Sequence, residues 1–336
     1  MSNITPINEK LHALSRKKYE TLEAMNATPQ YWEYRNKWQD YPNNNIVDIP
    51  LNIDIELTNA CNLKCVMCPR TVLGLEKTGF MSEYLYRKII DDASQLGVPA
   101  IKLLWRGEST LHPEIVSFIK YAKGKGIIDV LLNTNATLLD AELSKQIIDA
   151  GIDKVFFSFD SPFREKYESI RIGADFDTVL DNIKSFMNIR EKSNHNKPIT
   201  RIGMVRMKQN FTETDAFIKL FSDIVDCVAY TDAFYLENKK NDSVLDDERF
   251  NNFTCPMPWQ RLVVSWEGKC YPCCRDEKET YQVGNLVTQT IKEIWKSEKL
   301  SRLREAHLSH TWKKLKLCVD CQKSLFIENE RVNGMI

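Results

Sequence analysis

The feature that most constrains the fold of this 336-residue chain is an alternation of strand-like and helix-like segments between Leu51 and about Glu237. Such alternation is typical of βαβ units, whose strands pair in a parallel sheet. The predicted strands are Ile53–Leu57, Ala100–Trp105, Asp129–Asn133, Lys154–Phe159, Thr200–Met207 and Val228–Tyr235. The predicted helices are Glu83–Leu96, Pro113–Lys123, Asp140–Gly151, Phe176–Lys192 and Asn210–Ile224. We therefore predict an α/β domain whose ligands gather at the carboxyl ends of its strands.

Smaller regions flank this domain on both sides. The first fifty residues are predicted as a helical extension with an aromatic face made of Tyr31, Tyr34, Trp38 and Tyr41. We expect that face to dock the extension onto the main domain; a lid over the substrate is the alternative. The C-terminal part is predicted as a small hairpin, Arg261–Trp266 with Lys269–Tyr271, and then a helical stretch from Gln289 to about Leu308. The predicted domains are 1–50, 51–240 and 241–336.

The charge balance argues against a polyanionic partner. Lysine and arginine number 46, as do aspartate and glutamate, so the formal net charge is zero. We therefore expect neither a nucleic-acid partner nor an anionic membrane surface. The sequence also shows no run long enough to span a membrane and no apolar signal-peptide core. Ten cysteines in such a chain favour metal ligation in a reducing cytoplasm over disulfide bonds.

Three cysteines follow directly after the first predicted strand. Cys61, Cys65 and Cys68 have C-x3-C-x2-C spacing, which lets one short loop supply three thiolates to an iron–sulfur cluster. Three protein ligands leave the fourth iron open to another molecule. A structural zinc site is the alternative, but it needs a fourth ligand, and the next candidate is the distant His112. The spacing therefore favours a reactive iron–sulfur centre.

At this loop the chain resembles the radical S-adenosylmethionine superfamily, whose signature is C-x3-C-x-aromatic-C. The resemblance implies a partial (β/α)6 TIM-like barrel and a [4Fe–4S] cluster whose open iron is chelated by S-adenosylmethionine. Met67 stands where the family usually has an aromatic residue, Arg106 where it has the first of two glycines, and Ala136 where it has a glycine.

The resemblance also implies which residues contact the cofactor. The backbone of Met67 would face the adenine, Glu108 would take the cofactor ammonium, and Asn135 lies in the turn that approaches the ribose. Ser158 ends the fourth predicted strand, where family members often contact the cofactor. Arg171 would pair with the cofactor carboxylate, since a planar guanidinium suits bidentate binding.

A second set of cysteines lies near the C-terminus. Cys255, Cys273, Cys318 and Cys321, with Gly268 between the first two, resemble the SPASM/Twitch extension of the same superfamily. Because no cysteine follows Cys321, the shorter Twitch pattern with one auxiliary [4Fe–4S] cluster fits better. A four-cysteine zinc ribbon is the alternative. Cys270 and Cys274 are left over by this assignment.

The resemblance implies cleavage of S-adenosylmethionine to a 5′-deoxyadenosyl radical, with electrons from a donor such as flavodoxin or ferredoxin. We expect an oxidoreductase that takes hydrogen from a small polar molecule (a sugar, aminocyclitol or polyol) and passes an electron to the auxiliary cluster. Arg206 is a candidate substrate contact. The alternatives are a radical epimerase with Cys270 or Cys274 as hydrogen donor, a peptide-modifying enzyme, and a zinc-stabilised binding module without catalytic activity.

Overall fold

The computed structural model describes residues 10–11, 13–40, 48–74, 77–193, 196–233, 254–319 and 321. Within them, ten strands form one sheet: β1 (Lys10–Leu11), β2 (Asn52–Ile55), β3 (Ala100–Leu103), β4 (Asp129–Thr134), β5 (Lys154–Ser158), β6 (Ile199–Arg206), β7 (Cys227–Asp232), β8 (Arg261–Val264), β9 (Lys269–Tyr271) and β10 (Gly284–Asn285). The helices are α1 (Ala13–Asn26), α2 (Pro29–Asp40), α3 (Pro69–Leu73), α4 (Glu83–Leu96), α5 (Ile115–Gly124), α6 (Ala141–Asp149), α7 (Arg164–Ile170), α8 (Phe176–Lys192), α9 (Thr214–Phe221), α10 (Met257–Gln260), α11 (Ile291–Trp295) and α12 (Glu298–Leu308). No helix in these ranges is both long and apolar enough to cross a membrane.

The six strands β2 to β7 confirm the predicted α/β architecture. They lie in sequence order and every neighbouring pair is parallel, as in the register of Ile53 with Ile101. Helices connect successive strands, so the carboxyl ends of all six strands lie at one edge of the sheet. The predicted end of the last strand, residues 234–235, and the aromatic Tyr41 lie outside the described residues.

The two faces of the parallel sheet differ in polarity. On β2, Ile53 and Ile55 are fully buried in the core beneath the helices. The residues that alternate with them point to the opposite side, because side chains along a strand alternate between faces. We call that opposite side the interior face; its residues include Asn52, Asp54, Glu56, Lys102, Asn133, Phe156, Ser158 and Arg201. The interior face is therefore polar and charged where the helix-covered face is apolar.

The C-terminal hairpin joins the main sheet. β8 and β9 pair antiparallel as predicted, but β8 also pairs in parallel with β2, with Arg261 opposite Asn52. The helical stretch predicted from Gln289 to about Leu308 is confirmed, and within it the chain forms two helices, α11 and α12, with a break between them. The break has a local cause: the Ser297 side chain accepts a hydrogen bond from the backbone N–H of Leu300 and so caps α12.

The N-terminal extension docks at the amino ends of the strands. Tyr31 and Tyr34 are buried against Trp259, and the partly buried Trp38 packs beside them, which confirms the predicted docking face. Lys154 Nζ donates to Tyr31 Oη at 2.7 Å and to Asp129 Oδ2 at 2.8 Å. Because Asp129 and Lys154 begin β4 and β5, this contact lies opposite the cysteine loop. The described part of the extension therefore lies away from the cysteine loop, a position that does not favour the alternative of a lid over the substrate.

Candidate functional site

The first three cysteines lie on the loop that follows β2, at the carboxyl edge of the sheet. Burial raises the pKa of the Cys61 thiol, and it raises that of Cys65 to about 11. The Cys68 thiol adds to both effects, which places the three sulfur atoms within electrostatic reach of one another. A thiol that is costly to ionise alone becomes a thiolate when it binds a metal. The loop thus gathers three thiols, and ionisation of Cys61 and Cys65 is favoured by positive charge beside them.

Gly107 fixes the position of this loop. A Cβ atom at Gly107 would lie 2.1 Å from the carbonyl oxygen of Thr58 and 2.6 Å from that of Ala60. The next residue, Glu108, donates its backbone N–H to the same Ala60 oxygen at 2.9 Å. The turn after β3 therefore packs directly against the backbone of the cysteine loop, and only glycine allows that approach.

We expect Gly107→Ala to displace the cysteine loop. The methyl group would overlap two carbonyl oxygens, and overpacking of this kind costs about 1–3 kcal/mol. Iron content after anaerobic reconstitution should fall by up to about half, since only the first of two clusters is affected. Gly124→Ala is the matched control, because Gly124 ends α5 with no atom within 4 Å of an added Cβ. Equal iron in both variants would contradict the proposed packing role.

Glu108 is buried between the ends of β3 and β4. Its carboxylate accepts hydrogen bonds from Thr110 Oγ1 at 2.7 Å, Thr134 Oγ1 at 2.8 Å and the backbone N–H of Asn135 at 2.7 Å. These bonds tie the two turns together beside the cysteine loop. Binding of the cofactor ammonium by Glu108 stays a prediction, and the structure adds a role in holding the turn.

The structure places the other predicted cofactor residues around the same edge. Asn135 Nδ2 donates to Asn62 Oδ1 at 3.0 Å and lies 3.9 Å from Cys61 Sγ. Met67 packs against a small apolar cluster at the end of β6, and Ser158 ends β5 on the interior face. Their contacts with a cofactor remain predictions, but all of these residues lie at the carboxyl edge.

Arg171 lies beside the triad but already has a carboxylate partner. Its Nε is 2.8 Å from Asp160 Oδ2, without the alignment of a hydrogen bond, and its Nη1 is 4.0 Å from Cys65 Sγ. Burial raises the pKa of Asp160, and the guanidinium opposes that rise. The predicted pairing of Arg171 with a cofactor carboxylate is still a prediction. The observed geometry adds a positive charge next to one thiol of the triad.

Arg206 does not face the interior of the sheet. It shares a face of β6 with Ile202 and Met204, which are buried beneath the helices. Its guanidinium lies 4.5 Å from the ring centre of Phe211 and 4.2 Å from that of Tyr230. This position does not favour the predicted substrate contact. The strand alternation in the sequence contained that information, because Arg206 follows the two apolar residues at steps of two.

Arg106 is a residue whose role the sequence did not reveal. It forms a bidentate pair with Glu56, with both nitrogen-to-oxygen distances at 2.8 Å, and also contacts Glu279 from the C-terminal part. Its guanidinium lies 3.9 Å from the ring centre of Trp105, whose Nε1 donates to the Cys274 carbonyl oxygen at 2.9 Å. The turn that holds the first cysteine loop is therefore joined to the second cysteine region.

Five cysteines form what we call the C-terminal cysteine group: Cys255, Cys273, Cys274, Cys318 and Cys321. Burial raises the pKa of the Cys255 and Cys273 thiols, and that of Cys318 to about 12, with other thiols of the group adding to each rise. Cys270 is different: it is fully buried on β9, with its Sγ 3.6 Å from the Gly268 carbonyl oxygen.

A buried arginine connects this group to the interior face. Arg261 Nη1 donates to Asp54 Oδ2 at 2.9 Å and lies 3.9 Å from Cys274 Sγ. Arg261 Nε is also buried, and the described residues offer it no hydrogen-bond partner. A cluster sulfur beside this group would give that donor an acceptor.

Both cysteine groups therefore fit the iron–sulfur clusters that their spacing predicts. Each supplies at least three buried or half-buried thiols within electrostatic reach, with a guanidinium close by. Within the described ranges, no three such side chains are already drawn together at metal-binding distances. A [4Fe–4S] cluster does not require such convergence, because each thiolate binds a different iron atom of the cubane.

Comparison with known families agrees with this assignment. Residues 55–198 match the model of the Radical SAM superfamily. Residues 255–322 match the SPASM model, described as an iron–sulfur cluster-binding domain. These matches confirm the resemblance inferred from both cysteine patterns, and such domains hold [4Fe–4S] clusters.

Similar proteins differ in what they do. A tungsten-containing aldehyde ferredoxin oxidoreductase cofactor-modifying protein from Pyrococcus furiosus is 26% identical over 313 residues, covering 80% of this chain and 86% of that protein. GTP 3′,8-cyclase from Clostridium botulinum is 32% identical over 170 residues. That match spans 49% of this chain and 51% of the cyclase, about half of each.

Solved structures share the fold at low sequence identity. BtrN in complex with AdoMet and 2-DOIA has a TM-score of 0.53 and 20% identity over 80% of this chain and 92% of BtrN. The anSMEcpe structure with bound AdoMet has a TM-score of 0.60 and 19% identity, and the match covers 81% of this chain and 88% of anSMEcpe. Streptococcus suis SuiB bound to the precursor peptide SuiA has a TM-score of 0.63 and 15% identity, and the match covers 82% of this chain and 70% of SuiB. These likenesses support the partial-barrel architecture.

Proposed function

Because the chain belongs to the radical S-adenosylmethionine superfamily and has a C-terminal SPASM domain, we propose that it oxidises a small polar alcohol. The substrate class is a sugar, an aminocyclitol or another polyol. When bound, the clusters and S-adenosylmethionine would supply one-electron chemistry, namely the removal of hydrogen from a substrate carbon and the acceptance of a second electron. The chain's own residues hold the substrate and connect the two sites.

The observation that carries this proposal is the link between the interior face and both cysteine groups. β2 leads directly into the first cysteine loop, and its Asp54 holds Arg261, which contacts Cys274. Glu56, on the same face of β2, holds Arg106 in the turn that packs on the first loop. A molecule bound at the interior face would therefore lie near elements that contact both cysteine groups.

The interior face suits a substrate rich in hydroxyl groups. Lys102 and Arg201 lie on either side of Phe156, with their cationic groups 6.0 Å and 3.7 Å from the ring centre. All three residues lie on the interior face, on the side of the sheet away from the apolar core. Charged donors around an aromatic ring orient a polar ligand while excluding water from part of its surface.

The overall reaction balances without an added oxidant. The alcohol loses one hydrogen atom from carbon and one proton from oxygen, together with one electron, and becomes a ketone. S-adenosylmethionine gains an electron and that hydrogen atom, and is released as 5′-deoxyadenosine and methionine. The auxiliary site, inferred from the C-terminal cysteines, gives the electron lost by the substrate a place to go.

Product analysis tests this function. The reconstituted protein is incubated anaerobically with S-adenosylmethionine, a reductant and a panel of sugars, aminocyclitols and polyols. We expect one candidate to yield a product lighter by two hydrogens, in an amount equal to the 5′-deoxyadenosine formed. Deoxyadenosine formed with a substrate of unchanged mass would contradict the oxidation.

The alternative of radical epimerisation gains no support from Cys270. A hydrogen donor has to reach the substrate radical, whereas Cys270 is enclosed in the core between β8 and β10. Cys274 is half-buried beside Arg261 and remains the thiol that this alternative would need. Solvent deuterium incorporated at the reacting carbon, and lost in Cys274→Ala, would favour epimerisation.

A further inference from the structure

We propose that the buried Arg261–Asp54 pair sets the reduction potential of the cluster bound by the C-terminal cysteine group. In this proposal Arg261 is a positioning residue that makes that cluster a better electron acceptor. This role rests on the proposed oxidation, because a better electron acceptor is useful only if the substrate passes an electron to this cluster. The proposal also makes a claim about the resting protein that can be measured without any substrate.

The first line of support is the placement of the charges. Arg261 Nη1 lies 2.9 Å from Asp54 Oδ2 and 3.9 Å from the Sγ of Cys274, the residue that follows the predicted ligand Cys273. The guanidinium also interacts electrostatically with Cys273 and Cys255. Its carboxylate partner is on β2, in the interior face. The positive end of the pair is thus turned toward the cysteines and the negative end toward the sheet.

The second line of support is an unused hydrogen-bond donor. Arg261 is only 14% exposed in its side chain, and its buried Nε has no acceptor in the described part of the chain. A buried donor without a partner destabilises the folded chain, because its hydrogen bond to water is lost and not replaced. A cluster bound by the C-terminal cysteine group would offer sulfur atoms that can accept this hydrogen bond. The unpaired donor at Arg261 Nε is therefore what a cluster site is expected to contain.

The expected effect on the potential follows from electrostatics. Reduction adds a negative charge to the cluster, and a nearby cation or N–H donor stabilises the reduced state more than the oxidised one. Hydrogen bonds to cluster sulfurs and local charge are among the factors that set iron–sulfur potentials. Arg261 should therefore raise the potential, and Asp54 should limit that rise. A pair that only fastened β8 to β2 would not produce opposite effects from its two members.

The test is a potential titration of the C-terminal cluster alone. In the 336-residue chain with Cys61, Cys65 and Cys68 all replaced by alanine, the reconstituted protein is titrated anaerobically, and the reduced cluster is followed by electron paramagnetic resonance. On this background we compare Arg261→Met, Arg261→Lys and Asp54→Asn. Iron and sulfide content are measured for each variant.

We expect Arg261→Met to lower the reduced-to-oxidised ratio at the parent midpoint about tenfold, which is 59 mV for a one-electron couple. Arg261→Lys should retain most of the parent potential, and Asp54→Asn should raise it. If Arg261→Met fails to bind iron, the direction of the Asp54→Asn shift decides alone. Unchanged potentials, or shifts of the same sign in Arg261→Met and Asp54→Asn, would overturn the proposal.

This experiment separates two possible failures. A shift of opposite sign in the two variants supports the ion-pair role even when no alcohol is oxidised in the product assay. A product lighter by two hydrogens, together with unchanged potentials, would support the proposed oxidation and show that Arg261 does not set the potential of the cluster.

Discussion

Cys65→Ala is expected to reduce 5′-deoxyadenosine formation to the level of an enzyme-free control. The loss should exceed the roughly 100-fold effect of removing a hydrogen-bond partner from a metal ligand, because a ligand itself is removed. Two remaining thiols, Cys61 and Cys68, cannot complete a three-thiolate loop. Iron and sulfide should fall by about half, from roughly eight of each per chain to roughly four. The measurements are chromatography of the nucleoside and colorimetric iron and sulfide assays.

The matched control is Cys227→Ala, which removes a cysteine from β7, outside both cysteine groups. It should keep the full iron content and the full rate of cofactor cleavage. A Cys65→Ala protein that still cleaves S-adenosylmethionine would contradict the assignment of the first loop as the reactive centre.

Arg106→Ala is expected to destabilise the folded chain by about 3–5 kcal/mol, the usual cost of removing one partner of a buried ion pair. The side chains of Arg106 and Glu56 are 4% and 0% exposed, so the glutamate would be left charged and without water. Urea-induced unfolding of the reconstituted protein, followed by circular dichroism, measures the difference. The loss should be smaller in Arg106→Ala combined with Glu56→Gln.

An exposed ion pair supplies the comparison. Arg302 and Glu298 on α12 are 72% and 79% exposed, and solvent screens their interaction. Arg302→Ala should change the free energy of unfolding by less than about 1 kcal/mol. A similar small change in Arg106→Ala would show that the Glu56 pair does not hold the turn after β3.

Much of the main domain could be predicted because its signals are local. The helices Glu83–Leu96 and Phe176–Lys192 have the predicted bounds, since their apolar faces and their caps at Ser82 and Asp175 lie within one short segment. All six parallel strands were found for the same reason. Strand periodicity and the flanking turns are visible without any knowledge of partners.

The position of β8 could not be predicted in this way. Its pairing with β2 joins residues about two hundred positions apart, and neither strand's sequence identifies its neighbour. The contact of Arg261 with Asp54 depends on that same pairing. Arg106 reaches Glu56 through the neighbouring strands β2 and β3, whereas its second partner, Glu279, comes from the segment after β9.

The sequence indicates which charged residues face the interior, but only when the alternation of side chains along each strand is taken into account. Asp54 and Glu56 alternate with Ile53 and Ile55, a pattern that indicates buried charge facing away from the apolar core. The same rule places Arg206 with the apolar residues of β6. Residue type alone suggested a substrate contact, and the register of the strand argues against it.

The central claim is that the auxiliary site accepts the electron that the substrate loses after hydrogen removal. This electron replaces the one used to cleave S-adenosylmethionine, so oxidation needs little external reductant. The most direct measurement counts reductant equivalents consumed per oxidised product over many turnovers in a sealed anaerobic titration. The proposed function predicts a ratio well below one, because each oxidation returns the electron used to cleave S-adenosylmethionine. A ratio of one or more reductant equivalents per oxidised product would contradict it.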